Sequence, residues 1–258
     1  MKKKHQQQNI IKQKIRRNYG KIALEESDEG ACCAPGRCSG PSSPAKAAAD
    51  VGYDTSELES VPKASIIGAG CGAPVKFASL QKGEVVVDLG SGAGIDVFLS
   101  ANKVGGSGKV IGIDMTDEML ERARRNAKEN GYANVEFRKG DIEERIPVDG
   151  GSADVVISNC VINLTTDKVK TFKEIHRILK DGGTMVISDL VADRKAHGSI
   201  NLERWSSCID GAMAKDDYLA SIKKAGFKDA SILEERGFMG GELIGSRKIT
   251  SLVVKAVK

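Results

Sequence analysis

Apolar positions recur along the chain with two alternating periods. Ile11, Ile15, Tyr19 and Ile22 fall four, four and three residues apart, which places them on one stripe of a helix over residues 1–24, with basic residues largely on its other faces. Such a stripe must pack on something, and the main domain is the expected partner. From residue 84 onward the pattern changes. Residues 84–89 (EVVVDL) form a short apolar run ending in glycines, the mark of a buried strand. Residues 94–103 read as a helix, 109–115 as a second strand, and 116–130 as a helix capped by Thr116 and stopped at Gly131. Further strands are expected at 134–138, 153–159 and 184–190, with a helix at 167–180 stopped by Gly182 and Gly183. Helices near 201–213 and 216–225 and strands at 228–234 and 248–257 complete the series. Strand alternating with helix predicts an α/β fold whose sheet is mostly parallel, with crossover helices. No internal repeat is visible.

Composition narrows the class. The chain has 258 residues, 40% hydrophobic and 29% charged, enough for one large folded domain or two small ones. No run of about 18 apolar residues predicts a membrane span, and the basic N-terminus lacks the apolar stretch and cleavage site of a secretory signal. The expected compartment is a reducing cytoplasm. The net charge of +4 is concentrated in residues 1–22, which carry eight Lys or Arg and no acid; the remainder holds 31 basic and 35 acidic residues. No basic stripe runs through the predicted domain, so neither nucleic acid nor a membrane is an expected partner. Residues 25–50 contain no Val, Ile, Leu, Met or aromatic residue and three of the six prolines. The organisation expected is a basic helix at 1–24, a flexible cysteine- and proline-rich loop at 25–62, and a domain at 63–258 carrying an insertion at about 191–214.

The sharpest local signal is VVVDLGSGAGID. A strand ends at Leu89, and Gly90, Ser91, Gly92, Ala93 and Gly94 turn the chain into a helix. Glycines permit that turn and let a ligand approach the backbone closely. Asp114, 24 residues after Gly90 at the end of the next strand, can accept hydrogen bonds from both hydroxyls of a ribose. No Gly-Lys-Ser/Thr follows, and the glycine spacing suits adenosine without a diphosphate. The order of these motifs, with GDI at Gly140, Asp141 and Ile142, resembles the class I S-adenosylmethionine-dependent methyltransferases. The resemblance implies a Rossmann-like, doubly wound, seven-stranded sheet. It implies that Gly90, Gly92 and Gly94, with Ser91 between them, border the methionine and ribose of the cofactor, and that Asp114 holds the ribose. Met115, Asp141 and Ile142 would flank the adenine, and Asp88 would order the loop and assist the methionine amine. Asn159, closing the fourth strand, joins this cofactor set.

Six cysteines remain to be explained. Cys32, Cys33 and Cys38 lie in the apolar-poor loop, where packing does not account for a thiol. Cys71 sits between glycines in IIGAGCGAP, a setting that can expose a thiol. Cys160 follows the fourth strand in ISNCVINL, and Cys208 lies in ERWSSCIDGAM after the fifth. No CxxC pair of zinc type occurs. Ligands of open parallel sheets bind beyond the carboxyl ends of the strands, so Cys160 belongs beside the cofactor loop and Cys208 can roof the same pocket. Three thiolates over a methyl donor would select a soft, thiophilic element.

With CC-x4-C in the loop, GCGAP, DLGSGAGID, SNCVINL and WSSCIDGAM, the chain from about Ile10 onward resembles the arsenite methyltransferases. The resemblance implies arsenite or thiol-conjugated arsenite as substrate, As(III) bound by Cys71, Cys160 and Cys208, and a redox role for a loop cysteine, for which Cys32, Cys33 and Cys38 all qualify; from a flexible loop Cys32 or Cys33 could reach Cys71 to form a disulfide. Thioredoxin or glutathione would restore the thiols. Where relatives carry an aromatic residue just before the GCG cysteine, this chain has Ile67, Gly68, Ala69 and Gly70. Residues 216–257 read as the end of the sheet, so no separate C-terminal domain is expected. The three histidines, His5, His176 and His197, form no recognisable catalytic triad, and Asp189, ending the fifth strand, either lines the pocket or caps a turn. Two rival readings stand beside this one: a methyltransferase of the same fold acting on carbon or oxygen of a small molecule, and a thiol-based metal-binding or redox protein.

Overall fold

The computed structural model describes residues 2–25, 43–196, 201–241, 243–244 and 246–258. In chain order these form α1 (Lys2–Leu24), α2 (Pro44–Asp50), α3 (Thr55–Glu59), β1 (Val85–Leu89), α4 (Ile95–Val104), β2 (Lys109–Asp114), α5 (Asp117–Glu129), β3 (Val135–Lys139), β4 (Ala153–Asn159) and α6 (Lys168–Ile178). They continue with β5 (Leu179–Ala192), α7 (Leu202–Ser206), β6 (Met213–Ala214), α8 (Lys215–Lys224), β7 (Lys228–Gly237), β8 (Leu243–Ile244) and β9 (Arg247–Val257).

Seven strands make the continuous sheet in the order β3-β2-β1-β4-β5-β9-β7, and two-residue strands β6 and β8 attach to β5 and β9. The first five run parallel, and β9 is antiparallel to both of its neighbours. This is the doubly wound, mostly parallel sheet expected from the sequence. The strand order reverses between β1 and β4, the crevice where ligands of such sheets bind.

Strand periodicity of two builds the layers. Val86, Val110, Val155 and Ile157 point to one face and meet Val97 and Phe98 of α4 and Leu120 and Ala123 of α5. Val87, Ile111, Ile113 and Val156 point to the other and meet Phe172 and Ile175 of α6 and Ile222 of α8. The apolar stripe of α1 behaves as predicted: Ile11 and Ile15 are buried, Tyr19 and Ile22 half-buried, and the helix packs on α5 and α7. No helix among the described residues is long and apolar enough to cross a membrane.

Three expectations need correction. The helix expected over 167–180 ends at Ile178, and Gly182 and Gly183, expected to stop it, lie within β5. The loop drawn over 25–62 is helical in its second half. Ser43 caps α2, Pro44 opens it, and the Asp54 carboxylate caps α3 by accepting from the Ser56 N–H. Ala48, Val51, Tyr53, Leu58 and Val61 are buried against the α4 face. One apolar residue per turn suffices when a preformed sheet offers the other side of the contact. The helix expected over 201–213 is only the five residues of α7, because the chain turns sharply at Cys208 (φ +64°).

Candidate active site

A cavity lies over the carboxyl ends of β1, β2 and β4, and α1 contributes Lys12, Ile15 and Tyr19 to its wall. Its wall includes Asp88, Gly90, Ser91, Gly92, Asp114, Met115, Asp141, Ile142, Asn159 and Cys160, ten of the residues singled out from the sequence. Gly94 is not on that wall. It is the left-handed cap of α4 (φ +101°), and a Cβ there would meet the Phe98 and Phe137 rings, so it is a packing glycine.

Backbone hydrogen bonds shape the glycine turn. The N–H groups of Gly90 and Ser91 both donate to the Ile113 carbonyl, at 2.7 and 3.0 Å. The Asp114 carboxylate accepts from the Gly92 N–H at 3.0 Å and from the Thr116 N–H at 2.8 Å, pinning one wall to the next. Burial nonetheless raises the Asp114 pKa. Asp88 is pushed well above the carboxylate range by burial and by the charges of Asp96 and Asp114. Asp96, which opens α4, is raised to about 6 by burial, against hydrogen bonds from Tyr53 and Asn159. One oxygen of Asp96 and the Ser91 hydroxyl have no partner among the described residues.

Asp96 and Tyr53 escaped the sequence reading, yet they organise the site. The Tyr53 hydroxyl donates to Asp96 at 2.8 Å and accepts from the Asn159 amide at 2.8 Å. That amide also donates to the Gly72 carbonyl at 2.6 Å, while its oxygen accepts from the N–H groups of Cys71 and Gly72. Asn159 therefore clamps the Cys71 turn to the end of β4. The DVGYDTSE stretch gave a weak hint at most, since a single tyrosine before a helix cap has no fixed meaning. Lys12 was missed as well: from α1 it pairs with Asp141 at 2.8 Å and Glu143 at 3.4 Å.

The three predicted thiols converge. Cys71, Cys160 and Cys208 are buried in one apolar cluster with Leu164, Leu190, Phe238 and Ile249. Hydrogen bonds from the Cys160 thiol to the Cys208 and Cys71 sulfurs, reinforced by burial, hold its pKa well above the usual range. The hydrogen bond with Cys160 favours the Cys208 thiolate, but burial and the Asp189 charge leave its pKa raised. The Cys208 thiol donates to the Cys160 carbonyl at 2.9 Å. Cys160 and Cys208 both hold left-handed backbones (φ +61° and +64°), a strain of about 1–3 kcal/mol each for side-chain-bearing residues.

The setting of Cys71 differs from that expected. Its thiol is not exposed by the flanking glycines; it is buried. A Cβ at Gly70 would lie 2.6 Å from the Asn159 amide, and one at Gly72 2.1 Å from the Ser188 hydroxyl. The glycines let the backbone press onto the end of β4 and the body of β5. Gly72→Ala is therefore expected to lower stability by about 1–3 kcal/mol through overpacking, read as a fall in denaturant midpoint at unchanged slope. Cys32 and Cys33 lie outside the described residues.

A family profile described as a methyltransferase domain matches residues 80–226. The chain is 41% identical over 215 residues to an arsenite methyltransferase of Halobacterium salinarum, covering 83% of this chain and 53% of that protein. It is 35% identical over 232 residues to an arsenite methyltransferase of Aquipseudomonas alcaligenes, covering 86% and 63%. The chain thus spans between half and two thirds of the length of these curated relatives. The crystal structure of an arsenic(III) S-adenosylmethionine methyltransferase from Chlamydomonas reinhardtii superposes with a TM-score of 0.64 at 31% identity, over 85% of this chain and 75% of that one.

Proposed function

The chain belongs to the class I S-adenosylmethionine-dependent methyltransferases and, within them, to the arsenite methyltransferase family; on that premise we propose that it transfers a methyl group from S-adenosylmethionine to arsenic(III) bound by Cys71, Cys160 and Cys208. The observation that carries this reading is the burial of three thiols from distant segments in one cluster, with Cys160 also on the cavity wall.

The cavity suits the methyl donor. Asp88, Asp96 and Asp114 line it, and the unpartnered oxygen of Asp96 is available to a cation. Ile113, Met115 and Ile142 supply apolar wall for a purine. Lys12 is the one basic residue among the described lining residues, and it is already paired with acids, so no phosphate cradle competes with this assignment. Bound S-adenosylmethionine supplies a methyl group on a sulfonium that carries its own leaving group. We assign Asp114, Gly90, Ser91 and Gly92 to the ribose and methionine side, and Met115, Asp141 and Ile142 to the adenine side. Asn159 borders the same cavity, and its engaged amide makes it the residue that positions Cys71.

The thiols do the remaining work. The three thiols displace the oxygen or thiol ligands of incoming arsenic(III), each thiol proton leaving with the displaced ligand as water or free thiol, and the arsenic lone pair remains as the nucleophile. Ile11, Ile15, Leu164, Leu190 and Phe238 keep this end dry. Methylated arsenic is formally As(V), so each further methylation needs two electrons. Two thiols, Cys71 with Cys32 or Cys33, supply them by becoming a disulfide and releasing two protons, and thioredoxin or glutathione reduces that disulfide.

The decisive assay combines arsenite, S-adenosylmethionine and a thiol reductant, with methylated arsenic detected by mass. Consumption of the methyl donor without methylated arsenic would instead favour a carbon or oxygen acceptor. Two further outcomes are expected. Asn159→Ala removes the hydrogen bonds that hold the Cys71 turn, about 1–3 kcal/mol. Turnover with arsenite should fall on the order of 10-fold or more, while the dissociation constant for S-adenosylmethionine changes less than about 3-fold; the reverse pattern would return Asn159 to the cofactor. The second outcome concerns pH. Asp96 is raised to about 6 in the ligand-free protein, and a cationic ligand favours its ionised form. Binding of S-adenosylmethionine therefore expels a proton at low pH, and affinity rises as pH increases from about 4 through about 6, with Asp88 extending the rise upward. Calorimetry at about pH 5.5 in buffers of different ionisation heat should show proton release that Asp96→Asn diminishes. Release undiminished in that variant assigns the cation elsewhere.

A further inference from the structure

One oxygen of Asp189 and the thiols of Cys71 and Cys160 lie within 4.8 Å of one another, and all three residues are buried. Arsenic(III) is satisfied by three sulfurs, and Asp189 has no role in that coordination. We propose that Cys71, Cys160 and Asp189 form a second-use site for a thiophilic divalent cation of zinc(II) or cadmium(II) type.

The donor set matches such an ion. Two thiolates and one carboxylate are ordinary ligands of a tetrahedral d10 cation, which tolerates mixed sulfur and oxygen donors and a fourth ligand from water or from Cys208. Both oxygens of the carboxylate are held in place. The Tyr218 hydroxyl donates to one oxygen at 3.0 Å, and the Leu190 N–H donates to the other at 3.1 Å. Orientation of this kind is what outer-shell partners of metal ligands provide. Charge also balances. The two thiolates and the carboxylate carry three negative charges; a divalent ion cancels two, and buried Lys168, which acts electrostatically on Asp189 and Cys208, offsets the third. The ligands come from three separated elements: the turn before β1, the end of β4 and the body of β5. A bound ion therefore cross-links the sheet to the Cys71 turn. It also occupies two of the three thiols assigned to arsenic, so cation and arsenite exclude one another.

The test uses the reduced full chain with Cys32, Cys33 and Cys38 replaced by serine, so that other thiols do not compete. Titration with cobalt(II) alone is expected to give one equivalent of tightly bound ion with thiolate-to-cobalt charge-transfer absorption, and cadmium(II) should displace it. Asp189→Asn should weaken binding on the order of 100-fold, and Tyr218→Phe on the order of 10-fold, with S-adenosylmethionine binding retained as evidence of folding. Charge-transfer absorption missing from the parent protein, or equal affinity in Asp189→Asn, overturns the proposal. Should Asp189→Asn not fold, Tyr218→Phe decides, and unchanged affinity there counts against the carboxylate as a ligand. No methyl transfer is measured, so the outcome is separate from that of the function proposed above.

Discussion

Cys160→Ser should abolish methylation of arsenite and of methylated arsenic(III) alike, by at least about 1000-fold in turnover, equivalent to about 4 kcal/mol or more of barrier. Serine keeps the shape of the side chain and the left-handed backbone at this position, so the fold should survive. What is lost is a soft donor. A hydroxyl does not ionise near neutral pH and binds arsenic(III) weakly, leaving two sulfurs where the electron-rich centre needs three. Cys160 is also the thiol that touches both neighbours and the cavity wall, so no other sulfur can take its place without moving the end of β4. Cys208→Ser should behave the same way. Two measurements separate this from misfolding: S-adenosylmethionine should bind with unchanged affinity, and arsenite should no longer perturb the fluorescence of the single tryptophan, Trp205, which packs on the thiol cluster. Residual methylation above about 1% of the parent rate, on the scale of that barrier, would remove the three-thiolate model.

The second large effect is on the other substrate. Asp114→Asn should weaken S-adenosylmethionine on the order of 100-fold and leave arsenite binding intact. Both oxygens of Asp114 already accept backbone N–H groups, from Gly92 and Thr116. An asparagine offers one oxygen and turns an NH2 group toward the other donor. The glycine turn then loses its anchor, and the ribose loses an acceptor; hydrogen bonds to charged groups are worth about 1.5–3 kcal/mol each. Equilibrium dialysis with the methyl donor and tryptophan titration with arsenite read the two halves independently. A parallel fall in both affinities would mean that the substitution disturbs the whole crevice.

Much of this is legible in the sequence. The alternation of Val86 and Val87, or of Val155 and Val156, between opposite faces is a local consequence of strand geometry, so the doubly wound sheet follows from the pattern alone. The glycine turn and Asp114 are legible for the same reason: a strand end, a turn requiring positive φ and an acid closing the next strand are consecutive in the chain. The cysteines are a different case. Their residue types and their positions after strand ends suggested a shared pocket, and the family resemblance supplied the element they are proposed to hold.

The amino-acid order by itself determined the layers, the strand sequence, the glycine loop and the identity of the thiols, because each depends on near neighbours in the chain. Only the tertiary structure decided what each residue faces. It turned Gly94 into a packing glycine and buried Cys71 behind glycines that exist for close approach. It joined Asn159 to a turn 88 residues away and set Asp96, Lys12 and Asp189 beside partners from distant elements. Contacts across such separations depend on how helices and loops settle on the finished sheet, and no short-range periodicity encodes that settling.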